Sequence, residues 1–113
     1  MHKYEVKFYT KQDGKVPFLI WLKSVKDNGY RRRIFVRLNR MSEGNLGDYK
    51  ILGDDLCELR LAFGSGYRIY YSIESEKIVI LFVGGDKSTQ SKDIDKAYKY
   101  LQEHKEKQHG KER

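Results

Sequence analysis

The sequence predicts an α+β fold: an N-terminal strand and a helical hairpin, then a twisted antiparallel sheet, then a C-terminal helix. Three observations carry this reading. Apolar residues recur at helical spacing between Pro17 and Met41 and again between Ile94 and Leu101. From Tyr49 to Val83 the period shortens to that of strands. The later strand-like runs are joined by tight turns, Gly64-Ser65-Gly66 and Glu74-Ser75-Glu76, which implies antiparallel neighbours. Helices set apart from such a sheet make an α+β layer structure.

Tyr4-Glu5-Val6-Lys7-Phe8-Tyr9 alternates apolar and polar residues, so it reads as a strand with Tyr4, Val6 and Phe8 on one face. Gln12-Asp13-Gly14-Lys15 turns the chain. Pro17 then suits the first helical position, where its missing N–H costs nothing, and Phe18, Trp21, Leu22 and Val25 form the core stripe of that helix. Asp27-Asn28-Gly29 breaks it. A second helix runs from about Tyr30 to Met41, with Tyr30, Ile34, Leu38 and Met41 inward and Arg31, Arg32, Arg33, Arg37 and Arg40 over much of the remainder. So short a break makes the pair a helical hairpin. Strands follow at Tyr49–Leu52, Leu56–Phe63, Tyr67–Ile73 and Lys77–Val83. The last is almost wholly apolar, as expected of a central strand buried on both faces. Gly84-Gly85-Asp86-Lys87 ends it, Ser88 or Thr89 caps the final helix, and Ile94, Ala97, Tyr98 and Leu101 form that helix's apolar stripe.

The 113 residues suit one domain, expected over residues 1–101, with a polar, basic tail over residues 102–113 that frays. The single Cys57 excludes an internal disulfide framework and a thiolate-cluster zinc site. It reads as a small half-buried core residue and fits a reducing compartment. No run is apolar enough to cross a bilayer, and no signal-peptide core follows Met1, so the expected location is the cytoplasm with no membrane partner. The net charge is +7. It is unevenly spread: +7 over residues 1–43, −3 over 44–86 and +3 over 87–113. Basic ends around an acidic middle favour a polyanion, nucleic acid first, or an acidic protein.

Strand period brings charges together. Glu58 and Arg60 share a face, with Leu59, Leu61 and Phe63 on the other. Pairing across the Gly64–Gly66 turn can bring Arg68 beside Arg60. Two converging arginines repel, and a phosphate, which arginine grips bidentately, is the functional reason to place them so. The plainer reason is ion pairing with Glu58. A second feature is Gly84-Gly85-Asp86-Lys87-Ser88-Thr89-Gln90-Ser91-Lys92, where a strand runs into glycines, a lysine, hydroxyls and a helix start. Glycines admit close backbone approach, and helix N–H groups attract anions. The Walker spacing is absent, and a simple strand-to-helix corner is the plainer reading. His2, His104 and His109 lie near the chain ends, outside the predicted core, which disfavours a histidine-based catalytic or metal site. The arginine run at Arg31, Arg32 and Arg33 reads as a solvated helix face that adds phosphate affinity.

Together, Leu56-Cys57-Glu58-Leu59-Arg60-Leu61, Gly64-Ser65-Gly66-Tyr67-Arg68-Ile69-Tyr70-Tyr71, Ile80 through Gln90 and Asp93-Ile94 with Lys96-Ala97 resemble the RelE/ParE toxin superfamily. Within it they are most similar to the addiction-module killer proteins related to phage-derived and HigB-like toxins. The resemblance spans roughly residues 4–101. It implies a growth-inhibiting toxin of a type II toxin–antitoxin system, partnered by a helix-turn-helix antitoxin. RelE- and HigB-like members cleave mRNA on the ribosome without a metal or other cofactor, whereas ParE-like members inhibit DNA gyrase. The resemblance implies catalytic roles for Arg60, Arg68 and Lys87. Lys92, Ser88 and Gln90, with Arg31, Arg32 and Arg33, are the expected nucleic-acid contacts. Many RelE-like enzymes carry an arginine and then a tyrosine or histidine near the chain terminus. Here a glycine corner and a long helix occupy that region, so the acid and base assignments of those relatives do not transfer. The chemistry expected is in-line attack of a 2′-OH on the adjacent phosphorus, with Lys87 as candidate base and Asp86 as the alternative. Gyrase binding without chemistry, and a non-toxic binding module, are the rival readings.

Overall fold

The computed structural model describes the backbone of residues 3–111 and the side chains of residues 3–108. The expectations for His2 and His109 lie outside the described side chains. The elements are β1 (Glu5–Phe8), α1 (Pro17–Ser24), α2 (Asn28–Ser42), β2 (Tyr49–Gly53), β3 (Leu56–Arg60), β4 (Arg68–Glu74), β5 (Ile78–Gly85) and α3 (Gln90–Lys111). The fold is α+β, as the periodicity predicts. Strands β2 to β5 form an antiparallel meander, and the sheet order is β1-β5-β4-β3-β2.

The sheet is mixed rather than wholly antiparallel, because β1 pairs parallel with β5. Turn-linked neighbours must run antiparallel, but β1 has no turn-linked partner, since the helical hairpin follows it. Its direction is set by where that hairpin packs. Two of the tight turns use paired left-handed residues, Asp54 and Asp55 between β2 and β3, and Ser75 and Glu76 between β4 and β5. This backbone matches the twist of two-residue hairpins.

Three boundaries differ from the sequence reading. Asp27 does not break the hairpin but caps α2, its carboxylate accepting from the Tyr30 N–H at 3.0 Å. The strand expected to reach Phe63 stops at Arg60. Beyond it the chain loops, with Phe63 and Tyr67 packed on Tyr30. The residues from Gln102 continue α3 to Lys111 instead of fraying at once. Three of them are docked: the Tyr9 hydroxyl donates to Glu103 at 2.7 Å, Lys105 pairs with Asp55 at 3.1 Å, and His104 pairs with Glu74. His104 is therefore half-buried beside Tyr9 and Phe82, not a stray terminal residue.

Two cores sandwich the sheet. Phe18, Leu22, Ile34, Leu38 and Met41 of the hairpin cover Leu59, Ile69, Tyr71 and Leu81 on one face. Ala97 and Leu101 of α3 cover Leu56, Tyr70, Ile80 and Phe82 on the other. A bulge in β5 shapes the second face. Tyr71 faces Leu81 and Tyr70 faces Val83, leaving Phe82 as the extra residue. Beyond the bulge the alternation restarts, turning Gly84 toward α1 and Gly85 toward α3.

Candidate functional site

Cross-strand register makes the site. Arg60 in β3 lies directly opposite Arg68 in β4, and Arg68 lies opposite Gly85 in β5. One step back, Glu58 lies opposite Tyr70. Glu58, Arg60, Arg68 and Tyr70 thus share the α3 face, as two-residue alternation across the Gly64–Gly66 turn predicts.

Glu58 is the hub. Its carboxylate is wholly buried, a position that is costly without partners. It accepts from the Tyr70 hydroxyl at 3.0 Å, from Gln90 Nε2 at 2.9 Å and from Arg60 Nε at 3.3 Å. Arg68 Nε stands 3.7 Å from the same carboxylate, too far for a hydrogen bond but close enough for an ion pair. Burial, and then the charge of Glu58, pushes the Tyr70 hydroxyl far above its ordinary range, so it stays a donor. One carboxylate between two guanidinium groups leaves a net positive charge. Arg68 is anchored further by donating from Nη1 to the Gly66 carbonyl at 3.0 Å. Arg60 stays 44% exposed, so its head can meet a ligand.

Lys87 follows β5 in a short 3-10 turn, Lys87–Thr89. Its N–H reaches the Ser65 carbonyl at 3.4 Å. A side chain on Gly66 would meet Lys87 Cβ at 3.4 Å and Arg68 Nη1 at 3.6 Å. Lys87 therefore stands beside Arg68, over the turn that ends the Arg60–Arg68 row, and its side chain is exposed.

The corner itself is tied up internally. Asp86 caps the Lys87–Thr89 turn. It accepts from the Ser88 N–H at 2.9 Å, the Ser88 hydroxyl at 2.6 Å and the Ser65 hydroxyl at 3.1 Å. The Ser88 hydrogen bond, opposed by partial burial and helped by Ser65, holds the Asp86 carboxyl below its usual range. That makes it a weak proton acceptor. The two glycines make room for side chains of this chain. A Cβ on Gly84 would lie 2.3 Å from the Trp21 ring, and one on Gly85 would lie 1.7 Å from Asp93 Oδ2. Asp93 is buried and accepts from Thr89 at 2.5 Å.

Of the residues predicted from sequence, the structure brings together Arg60, Arg68 and Lys87, with Gln90 behind them on Glu58. Ser88 is engaged with Asp86, and Lys92 is exposed on the first turn of α3. Arg31 donates to Asn28, and Arg32 is exposed. Arg33 stands apart from both, with Arg37, Arg40 and Arg60 around a cleft beside α2. In the sequence Glu58 reads only as an ion-pair partner. Arg37 and Arg40 read only as helix surface, although their spacing from Arg33 puts them on one face. Among the described residues no three His, Cys, Asp or Glu side chains come together as a metal site, and no helix is long and apolar enough to cross a membrane.

Residues 21–107 match the family described as phage-derived protein Gp49-like (DUF891). A protein of Haemophilus influenzae, described as uncharacterized, is 43% identical over 83 residues, which cover 74% of this chain and 84% of that relative. The family match spans every residue of the Glu58 hub and the Arg60–Arg68 row. The chain belongs to the phage-derived Gp49-like family, which is associated with toxin–antitoxin systems.

Proposed function

We propose that this chain is the toxin of a type II toxin–antitoxin pair and cuts mRNA on the ribosome. The observation that carries the reading is the Arg60–Arg68 row, held by a buried carboxylate and flanked by Lys87. Cleavage by transesterification requires an aligned 2′-OH, a proton acceptor, a donor to the leaving oxygen and positive charge on the phosphoryl oxygens. The 2′-oxygen bonds to phosphorus, the bond to the 5′-oxygen breaks, that oxygen takes up a proton from water, and the products are a 2′,3′-cyclic phosphate and a 5′-OH. In this reading Arg60 and Arg68 stabilise the charge that develops on the phosphoryl oxygens. Lys87 takes the 2′-OH proton. Asp86 is the poorer candidate because its carboxylate is spent on capping. The association of the family with toxin–antitoxin systems implies an antitoxin partner, and a helix-turn-helix protein is the kind proposed.

Inducing the chain in cells, while following mRNA 5′ ends and plasmid supercoiling together, tests this reading against gyrase inhibition. New 5′ ends within coding regions and unchanged supercoiling are expected. Both those ends and the growth arrest disappear in Arg60→Ala/Lys87→Ala. Altered supercoiling without new mRNA ends would favour the gyrase reading instead.

A further inference from the structure

We infer that the cleft between α2 and the end of β3 holds the sugar–phosphate backbone of a single RNA strand through Arg33, Arg37 and Arg40, and leads that strand to the Arg60–Arg68 row. The cleft has a volume of about 600 Å³, and Arg33, Val36, Arg37, Arg40, Arg60 and Phe63 are among its lining residues. Arg33, Arg37 and Arg40 sit at i, i+4 and i+7 on one face of α2. Like charges so spaced destabilise a helix. None of the three forms an ion pair with a carboxylate among the described residues. A single carboxylate residue, Asp48, lines the same cleft. The helix therefore carries a repulsion that a bound polyanion relieves.

The heads of Arg33 and Arg37 are positioned without being neutralised. The Arg33 guanidinium lies 4.2 Å from the centroid of the Phe63 ring, which stacks on Tyr30. The Arg37 head lies over Gly47, where a Cβ would come within 1.8 Å of its Nη2. Gly47 is also left-handed, with φ 66°, so glycine suits it twice over. Donors held in place this way lose little freedom on binding, and each can grip a phosphate bidentately. From Arg33 to Arg40 the helix rises about 10 Å, so the three arginines are spread along the cleft rather than gathered at one point. A basic groove that tracks a backbone is how single strands are bound without sequence preference. Arg60 lines the cleft and also belongs to the row, so the two adjoin at the end of β3. That adjacency to the phosphate-binding row favours an RNA strand over an acidic peptide.

The inference rests on the RNA reading of the row, but its test does not depend on cleavage. The probe is a fluorescent single-stranded RNA of about 12 nucleotides, titrated with the full chain at roughly 50 to 200 mM salt. The logarithm of affinity falls with the logarithm of salt by about 0.7 per phosphate neutralised on a single strand. Arg33→Gln/Arg37→Gln/Arg40→Gln is expected to flatten that slope by about 2, and Arg37→Gln alone by about 0.7. Lys23→Gln/Lys26→Gln removes two exposed charges from the helical hairpin outside the cleft and leaves the slope near its original value. Melting curves establish that each variant is folded, and the single variant serves if the triple one is not. An unchanged slope in the folded variants overturns the inference. So does loss of binding to a polyglutamate peptide with RNA binding intact, which would make the cleft a protein-docking groove. If the slope flattens as expected and no mRNA is cut in cells, the groove stands and the cleavage reading falls.

Discussion

The two faces of the sheet are built for different ends. Beneath α1 and α2 the strands present an almost wholly apolar surface around Phe18, Ile34, Leu59 and Leu81. Beneath α3 the surface begins the same way, with Leu56, Ile80 and Phe82, but toward Arg60 and Arg68 it gives way to a buried glutamate. Apolar burial stabilises without condition. A buried ion pair seldom improves on apolar packing of equal volume, because desolvation offsets the attraction. The contrast teaches where to look for function. One face holds the fold together, and the other accepts a stability cost at one end to fix two guanidinium groups side by side.

The largest expected effect is on the apolar face. Phe18 is fully buried, and Phe18→Ala is expected to cost about 3–5 kcal/mol in urea unfolding. A loss under about 1 kcal/mol would mean that the face is not packed as described. On the other face, Glu58→Ala strands the Tyr70 hydroxyl, Gln90 and two arginines, for an expected loss of about 3 kcal/mol. Glu58→Gln keeps an acceptor for Tyr70 and loses less. Equal losses in the two variants would show that the retained acceptor contributes nothing, and no loss in Glu58→Gln would show the same of the charge.

Gly85→Ala sharpens the comparison from the corner. Its new methyl collides with Asp93, and the expected cost is about 1–3 kcal/mol by the same unfolding assay. If Gly85→Ala is neutral, Asp93 is not where it is described.

The smallest effects come with pH. The hydroxyls of Tyr9, Tyr70 and Tyr71 all sit well above their ordinary value of 10.0, chiefly because they are buried. The native state therefore keeps phenolic protons that the unfolded chain releases above about pH 10. The associated stability is complete below that pH and is lost as pH rises toward the folded values. Each tyrosine contributes a slope of about 1.4 kcal/mol per pH unit in that window. Urea midpoints between about pH 8 and pH 11.5 are expected to hold and then fall. In Tyr9→Phe, which removes the group bonded to Glu103, the fall is shallower. A midpoint that stays level through pH 11 contradicts the burial of these groups.

Most of the fold could be read from the chain, because period and turn chemistry are local. Alternation through Glu58 and Arg60, and the short turn before Arg68, predicted the row that register then produced. What escaped prediction depends on distant partners. The parallel pairing of β1 is decided by packing of the hairpin, not by any turn. The bulge at Phe82 reverses the facing of Gly84 and Gly85, so the glycines that suggested a ligand instead admit Trp21 and Asp93. The polar tail reads as loose because its anchors, Tyr9, Glu74 and Asp55, lie far away in sequence. Arg37 and Arg40 were visible as helix surface, but only the approach of Phe63 and Gly47 turns that surface into the wall of a cleft.

The most direct test is single-turnover cleavage of a defined mRNA on purified ribosomes, comparing the unaltered chain with Arg60→Ala and Arg68→Ala. Removal of one charge-stabilising donor is expected to slow cleavage by on the order of a hundred-fold or more, while both variants remain folded. Cleavage at the original rate in both folded variants would contradict the claim that this row of arginines does the chemistry.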